Sequence, residues 1–245
     1  MLVGPMAMTE VIRLAKESGF GIVGTKEGIG SSGCLSYYLE KISKENLITI
    51  VMAQSPVSTA PFGGFIPLFG TNPMSFGIPS KPTPLIFDMA TSAITVGAMV
   101  RARELGIKLS ENVSVDKEGN MTTDPVKAIE GATLAFDNSY KGCGLAMMVE
   151  ILSGLWPGAD YSGLNISGGW GNLFMAFSPD LLINIDEFKN KTEQLIKTIR
   201  NSKTKDGSKI RIPGENTIKK RDDCLKSGYI EVDEILLNKI KEAMK

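Results

Sequence analysis

The chain contains no histidine. No imidazole base, imidazolium acid or imidazole metal ligand can therefore come from it. Net charge is missing as well: 27 basic and 27 acidic side chains cancel over 245 residues, and only 7% of the residues are aromatic, which leaves nucleic-acid binding without an electrostatic footing. Cysteine is scarce. Cys34, Cys143 and Cys224 are odd in number, widely spaced and never in a C-x-x-C pair, so neither a disulfide framework nor a zinc cage is suggested and a reducing, cytoplasmic compartment is expected. Long apolar runs are absent too; the longest, Leu47 to Ala53, has the length of a strand and falls far short of the roughly 20 residues that cross a bilayer. At the N-terminus, Glu10 and Arg13 interrupt the apolar pattern in a way foreign to a secretory signal.

What is present is an ordinary globular composition, 42% hydrophobic and 22% charged, with ample length for a hydrophobic core. Met8, Val11, Ile12 and Ala15 follow helical spacing and Gly19 stands at the left-handed cap position, which predicts a helix over 6–18. Phe20 to Val23 reads as a short buried strand, Leu35, Tyr38, Leu39 and Ile42 as the next helix, and 47–53 as the next strand. This alternation predicts an α/β fold. From Ser55 to Pro84 the composition turns to Pro, Gly, Ser, Thr and Phe without a period, the mark of a long structured and functional loop. Leu85 to Phe87 reads as a strand ending at Asp88, followed by a helix from Thr91 to Leu105 closed by Gly106. Asp116 to Asn120 reads as a turn, and Leu145, Met148, Val149 and Leu152 mark a buried helix over 143–154 that Gly154 and Pro157 end. The Gly- and Ser-rich segment 158–172 is expected as loop. The lysine-rich remainder predicts helices near 186–201, 216–226 and 233–245, the last opened by Asp233 as N-cap, with mixed charges suited to solvated faces. The shift in composition puts a boundary near 180, giving an α/β region over 1–180 and a helical region over 181–245 that packs on it.

Three segments carry candidate chemistry. Gly28-Ile29-Gly30-Ser31-Ser32-Gly33 is a literal G-x-G-x-x-G, but the acid expected about 20 positions later is missing, since that stretch reads Val51-Met52-Ala53-Gln54; a plain glycine turn is the reading favoured. Asp88-Met89-Ala90-Thr91-Ser92 falls where a strand gives way to a helix, a place suited either to a phosphate or ribose contact or to Asp88 serving as the helix N-cap. Tyr140-Lys141-Gly142-Cys143-Gly144 opens a helix, where Lys141 either meets an anion or is simply exposed. Glu150, amid Met147, Met148, Val149 and Ile151, is expected to be paired or exposed rather than catalytic. Ser31, Ser32 and Ser55 have no histidine partner, which argues against a hydrolase triad.

Ala60 to Gly64, Gly70 to Pro73, Phe87 to Ser92, Thr122 to Pro125, Tyr140 to Gly142 with Val149 to Gly154, and Ile212 to Glu215 occur together in this order. In these segments the sequence resembles the malate/L-lactate dehydrogenase family, which also holds ureidoglycolate and sulfolactate dehydrogenases and piperideine-2-carboxylate reductases. The resemblance implies a homodimeric oxidoreductase that uses NAD or NADP to interconvert a 2-hydroxy acid of the malate or lactate type and its 2-oxo acid. It implies a mixed-sheet dinucleotide-binding domain that is not a standard Rossmann fold, followed by a helical C-terminal part. The cofactor residues it implies are Ser55, Asp88, Met89, Ala90 and Lys141, with no metal. Ser31 stands where the family has its histidine base, ahead of Gly33 to Tyr38. Family members also carry a further segment before the point where this chain begins, so the resemblance implies an N-terminally shortened member, expected to expose apolar surface. A serine hydroxyl does not titrate near neutrality, and the loss of acid–base help costs about 10²–10⁴ in rate. The alternative expectation is a degenerate relative that binds dinucleotide, or a partner, without turnover.

Overall fold

The computed structural model describes residues 2–28, 30–164, 169–232 and 234–244. Helix α1 (Val3–Ser18) ends on Gly19, whose φ of 82° lets its N–H close on the Ala15 carbonyl. Strand β1 (Phe20–Gly28), helix α2 (Leu35–Lys44) and strand β2 (Ile48–Ala53) follow, so the expected opening alternation is present. Strands β3 (Met74–Ile78) and β4 (Leu85–Met89) flank the next turn. Helix α3 (Val96–Leu105), strand β5 (Ser114–Val115), helix α4 (Pro125–Glu130) and strand β6 (Ala132–Thr133) form a smaller layer. Its packing centres on Met99, Ala102, Leu109 and Ala128. Helix α5 (Tyr140–Val149) runs on into a π-helical turn, Glu150–Leu155, and strand β7 (Trp170–Phe177) returns to the sheet. Helices α6 (Ile185–Arg200), α7 (Glu215–Ser227) and α8 (Glu234–Ala243) complete the chain. Asp233, the expected cap of α8, and Ile29 lie outside the described residues.

The main sheet has five strands in the order β1-β7-β2-β3-β4. Every pairing in it is antiparallel. The parallel component of the expected mixed sheet is confined, among the described residues, to the isolated bridge between Thr59 and Thr133. Alternation along β7 and β2 builds a core on each face of the sheet. Val51, Ala53, Phe174 and Ala176 meet Val11 and Ala15 of α1 and Leu35, Leu39 and Ile42 of α2. Met52 and Leu173 meet Val149 of α5 on the opposite face, with Ile50, Met74 and Met175 packed alongside.

Two expectations need correction. The segment 158–172 is not loop throughout: β7 begins at Trp170, and it lies between β1 and β2 at the middle of the sheet. Its residues are apolar on both alternating faces because both faces are covered, so the pattern carries no period of two. The helix expected from Thr91 begins only at Val96, with the Thr95 side chain as its cap. Thr91 and Ser92 instead turn their hydroxyls onto the backbone carbonyls of Asn72 and Ile94, which holds 90–95 out of the helix.

Candidate functional site

The segment 30–37, from the connection after β1 into the first turn of α2, borders two clefts. The larger, about 640 Å³, is bordered by Cys34, Ser36 and Tyr37, by Ile86 and Asp88 of β4, and by the 211–218 segment with Arg211 and Ile212. The smaller, about 290 Å³, is bordered by Ser31, Ser32, Gln54, Ser55, Thr71 and Trp170. One short stretch of chain therefore serves as wall to both, and the wall is held from several sides. Ser32 Oγ donates to Asn172 Oδ1 at 2.6 Å, and Asn172 Nδ2 donates to Thr25 Oγ1 at 3.0 Å. Tyr38 donates its hydroxyl to the Ser32 carbonyl at 2.8 Å; burial, reinforced by Tyr37, pushes this phenol above its ordinary range and keeps it a neutral donor.

Asp88 is the organising charge of the larger cleft. It sits within β4 opposite Ser75, not at the start of a helix, and it caps a helix other than the expected one. Its Oδ2 accepts from the Ser36 backbone N–H at 2.8 Å in the first turn of α2, whose N-cap residue Cys34 supplies no side-chain cap of its own. Its Oδ1 accepts from Ser75 Oγ at 2.6 Å. The carboxylate thus satisfies an orphan amide and complements the positive end of α2 while remaining exposed to the cleft. Met89 and Ala90, half-buried, continue the same edge.

Ser55 borders the smaller cleft from the opposite side. Its Oγ accepts from the Thr71 N–H at 2.7 Å and lies 3.0 Å from Thr71 Oγ1, and its carbonyl accepts from Ser162 Oγ at 3.0 Å. Gly70 is required here, because a Cβ at that position would overlap Ser55. Ser31 is exposed on the facing wall, its Oγ taken by the Gly33 N–H at 3.0 Å. Among the described residues that border this cleft none ionises near neutrality; they offer hydroxyls, an amide and an indole.

Ser31 and Ser55 are therefore brought together, and Asp88 lies across the shared wall from them. Lys141 borders neither cleft. It is exposed in the first turn of α5, where Ser139 caps the helix and Asp137 accepts from Ser139 and from the Gly142 N–H. The Ser139 hydroxyl, with these amides, holds the Asp137 carboxyl below the usual range. Gly28 ends β1, which is antiparallel in the sheet, and Gly30 and Gly33, ahead of α2, take φ of 89° and 76°. A Rossmann phosphate loop needs a parallel βαβ crossover, so the plain-turn reading holds.

Sequence reasoning missed the buried cluster beneath the smaller cleft. Glu150, 4% exposed, accepts from Gln54 Nε2 at 2.8 Å, from Asn72 Nδ2 at 2.5 Å and from the Ser162 N–H. The expectation that Glu150 is paired is met, although by amides rather than by a cation. Its position one step off the apolar stripe was the available signal; the π turn, which adds a residue per turn, brings it inward.

These features define an α/β protein with two clefts that share the segment after β1 as a wall. The model of the malate/L-lactate dehydrogenase family matches residues 1–241, and the chain belongs to that family. It is 35% identical over 249 residues to L-sulfolactate dehydrogenase of Methanocaldococcus jannaschii, covering 98% of this chain and 71% of that protein. The solved structure of sulfolactate dehydrogenase from that organism superposes with a TM-score of 0.85 over the same shares of the two chains. Malate/(S)-sulfolactate dehydrogenase of Methanothermus fervidus is 36% identical, over 96% of this chain and 69% of that protein. Ureidoglycolate dehydrogenase (NAD(+)) of Escherichia coli O157:H7 is 30% identical, over 98% and 70%. The protein is thus an oxidoreductase of this dehydrogenase family. No described helix is long and apolar enough to cross a membrane.

Proposed function

We propose that the chain binds NAD or NADP across the two clefts and interconverts a 2-hydroxy acid of the malate or lactate type and its 2-oxo acid. The observation that carries this reading is Asp88: the carboxylate that the family resemblance assigns to the cofactor borders the larger cleft, where the other carboxylate, Glu40, is already paired with Arg221. The cleft also suits the group on its own terms. Ile86, Phe87, Ile212 and Pro213 offer apolar walls for a purine, Asp88 an acceptor for ribose hydroxyls, and Arg211 a cation for phosphate. Bound there, the nicotinamide would supply hydride chemistry. In this reading Met89 and Ala90 line the path of the cofactor, Ser55 orients its reactive end, and Ser31 hydrogen-bonds the substrate oxygen. Proton transfer then falls to solvent, because Ser31 does not titrate near neutrality. The helices of 181–245 are read as a separate part closing over the α/β region, and the working form as a homodimer, a reading supported by the exposed apolar side chains Phe62, Phe65, Ile66 and Leu68.

A second reading, dinucleotide binding without turnover, is favoured by the non-ionising lining of the smaller cleft. Fluorescence titration with NADH and NADPH, followed by pyruvate and oxaloacetate, separates the two. Binding with oxidation of the reduced cofactor supports the dehydrogenase, binding alone supports the second reading, and no binding overturns both. Lys141 borders neither cleft and is assigned to the cofactor by the family resemblance alone; on that assignment the cofactor reaches the first turn of α5, and Lys141→Ala is expected to weaken binding about tenfold without lowering the melting temperature. Unchanged affinity would remove Lys141 from the site.

A further inference from the structure

We infer that Glu150 is the positioning residue of the smaller cleft, a buried carboxyl group that holds Ser55 and Gln54 in place without touching the ligand itself. The inference rests on the cofactor reading above and adds to it a residue outside both clefts. Glu150 is the meeting point of segments far apart in the chain: the end of β2 through Gln54, the 70–73 turn through Asn72, and the 160–162 loop through the Ser162 N–H. Among the described residues no ion pair to it forms, and its burial is offset by these N–H donors.

From each of these partners a further bond leads to the cleft wall. Ser162, 3% exposed, donates its hydroxyl to the Ser55 carbonyl. Asn72, fully buried, directs its own N–H toward Ser55 Oγ at 3.4 Å, while its side chain also donates to the Ala146 carbonyl at 3.1 Å. Gln54 borders the cleft directly; its Oε1 accepts from the Gly171 N–H at 2.9 Å and its Nε2 also donates to the Asp160 carbonyl at 3.0 Å. The backbone packs closely around Gln54. A Cβ at Gly154 would overlap Gln54 Nε2, and one at Gly171 would overlap the Ser153 carbonyl. Asn72 Oδ1 is buried without a partner, so its amide is held by the donor side, toward Glu150 and Ala146.

A glutamine at 150 keeps the volume but presents an amide nitrogen to N–H groups that all need an acceptor. One side of the cluster must then open, and Ser55 loses its fixed backing. The test compares wild type, Glu150→Gln, Ser162→Ala and a control, Met99→Ala, destabilised in the separate core under α3. Amide hydrogen exchange and NADH affinity are read well below the melting temperature of each variant. Glu150→Gln is expected to speed exchange over 54–72 and 160–164 and to weaken NADH binding about tenfold or more, the effect of one charge-assisted bond. Ser162→Ala is expected to show a smaller loss in the same direction, and Met99→Ala neither effect. Unchanged exchange around Ser55 in Glu150→Gln overturns the inference, as does an equal affinity loss in Met99→Ala. Should Glu150→Gln not fold, Glu150→Asp, which keeps the carboxyl group but draws it back from its three donors, takes its place, and unaltered exchange over 54–72 in that variant overturns the inference. If wild type binds no NADH, the cofactor reading falls and the exchange arms still judge the positioning role.

Discussion

Phe174→Ala is expected to lower stability by about 3–5 kcal/mol, the range for emptying a buried aromatic site. Phe174 is 1% exposed, it pairs across the ladder with Val23 on one side and Val51 on the other, and its ring meets Tyr38 edge to face at 5.4 Å. Removing it loosens β1, β2 and α2 at one point, because the neighbours that would have to collapse into the cavity are strands fixed by hydrogen bonds. For a chain of this length a melting temperature lower by about 10 °C is expected, read by calorimetry or circular dichroism. A shift below about 3 °C would mean that the sheet face relaxes far more freely than its register implies. Tyr38 also carries the Ser32 carbonyl, so the same variant is expected to disturb the wall between the clefts.

Asp88→Ala is expected to weaken dinucleotide binding about 10- to 100-fold, since bonds to a charged group are worth about 1.5–3 kcal/mol. The effect has two origins. The acceptor facing the cleft disappears, and the Ser36 N–H and Ser75 hydroxyl lose their partner, which unfastens the first turn of α2. Asp88→Asn separates them: its one carbonyl oxygen keeps a single donor, so most of the fold survives while affinity still falls. The measurement is NADH titration of both variants beside a thermal melt. Full affinity in Asp88→Ala would take the larger cleft out of the cofactor reading.

Much of this architecture was legible in the chain. Amphipathic stretches such as 35–42 announced their helices because one face is buried and the other wet, and Gly19 and Gly106 marked helix ends because only a left-handed residue closes them. The middle strand was not legible, since a strand covered on both faces shows no alternation. The start of α3 was misplaced because the hydroxyls of Thr91 and Ser92 compete for backbone partners, a tertiary choice that propensity does not register. At the site, Asp88 stood out by its place at the end of a strand and Ser55 through family resemblance, whereas their geometry came only with the fold. The Gln54, Asn72 and Ser162 donors around Glu150 are scattered over more than a hundred positions, and no local pattern announces a cluster assembled from loops.

The place of β7 has a consequence for how the chain comes to be folded. β1 and β2 do not pair with each other; both pair with β7. Strand β1 thus waits for a partner roughly 150 residues downstream, and at about 5–20 residues per second a ribosome takes on the order of 10–30 seconds to deliver it. During that interval two strand edges stand open, and their closure is among the least local contacts in the molecule, which favours slow assembly. Nascent chains halted before Trp170 should therefore be the ones that chaperones hold, and release from them should come as a single event once Phe177 has cleared the exit tunnel.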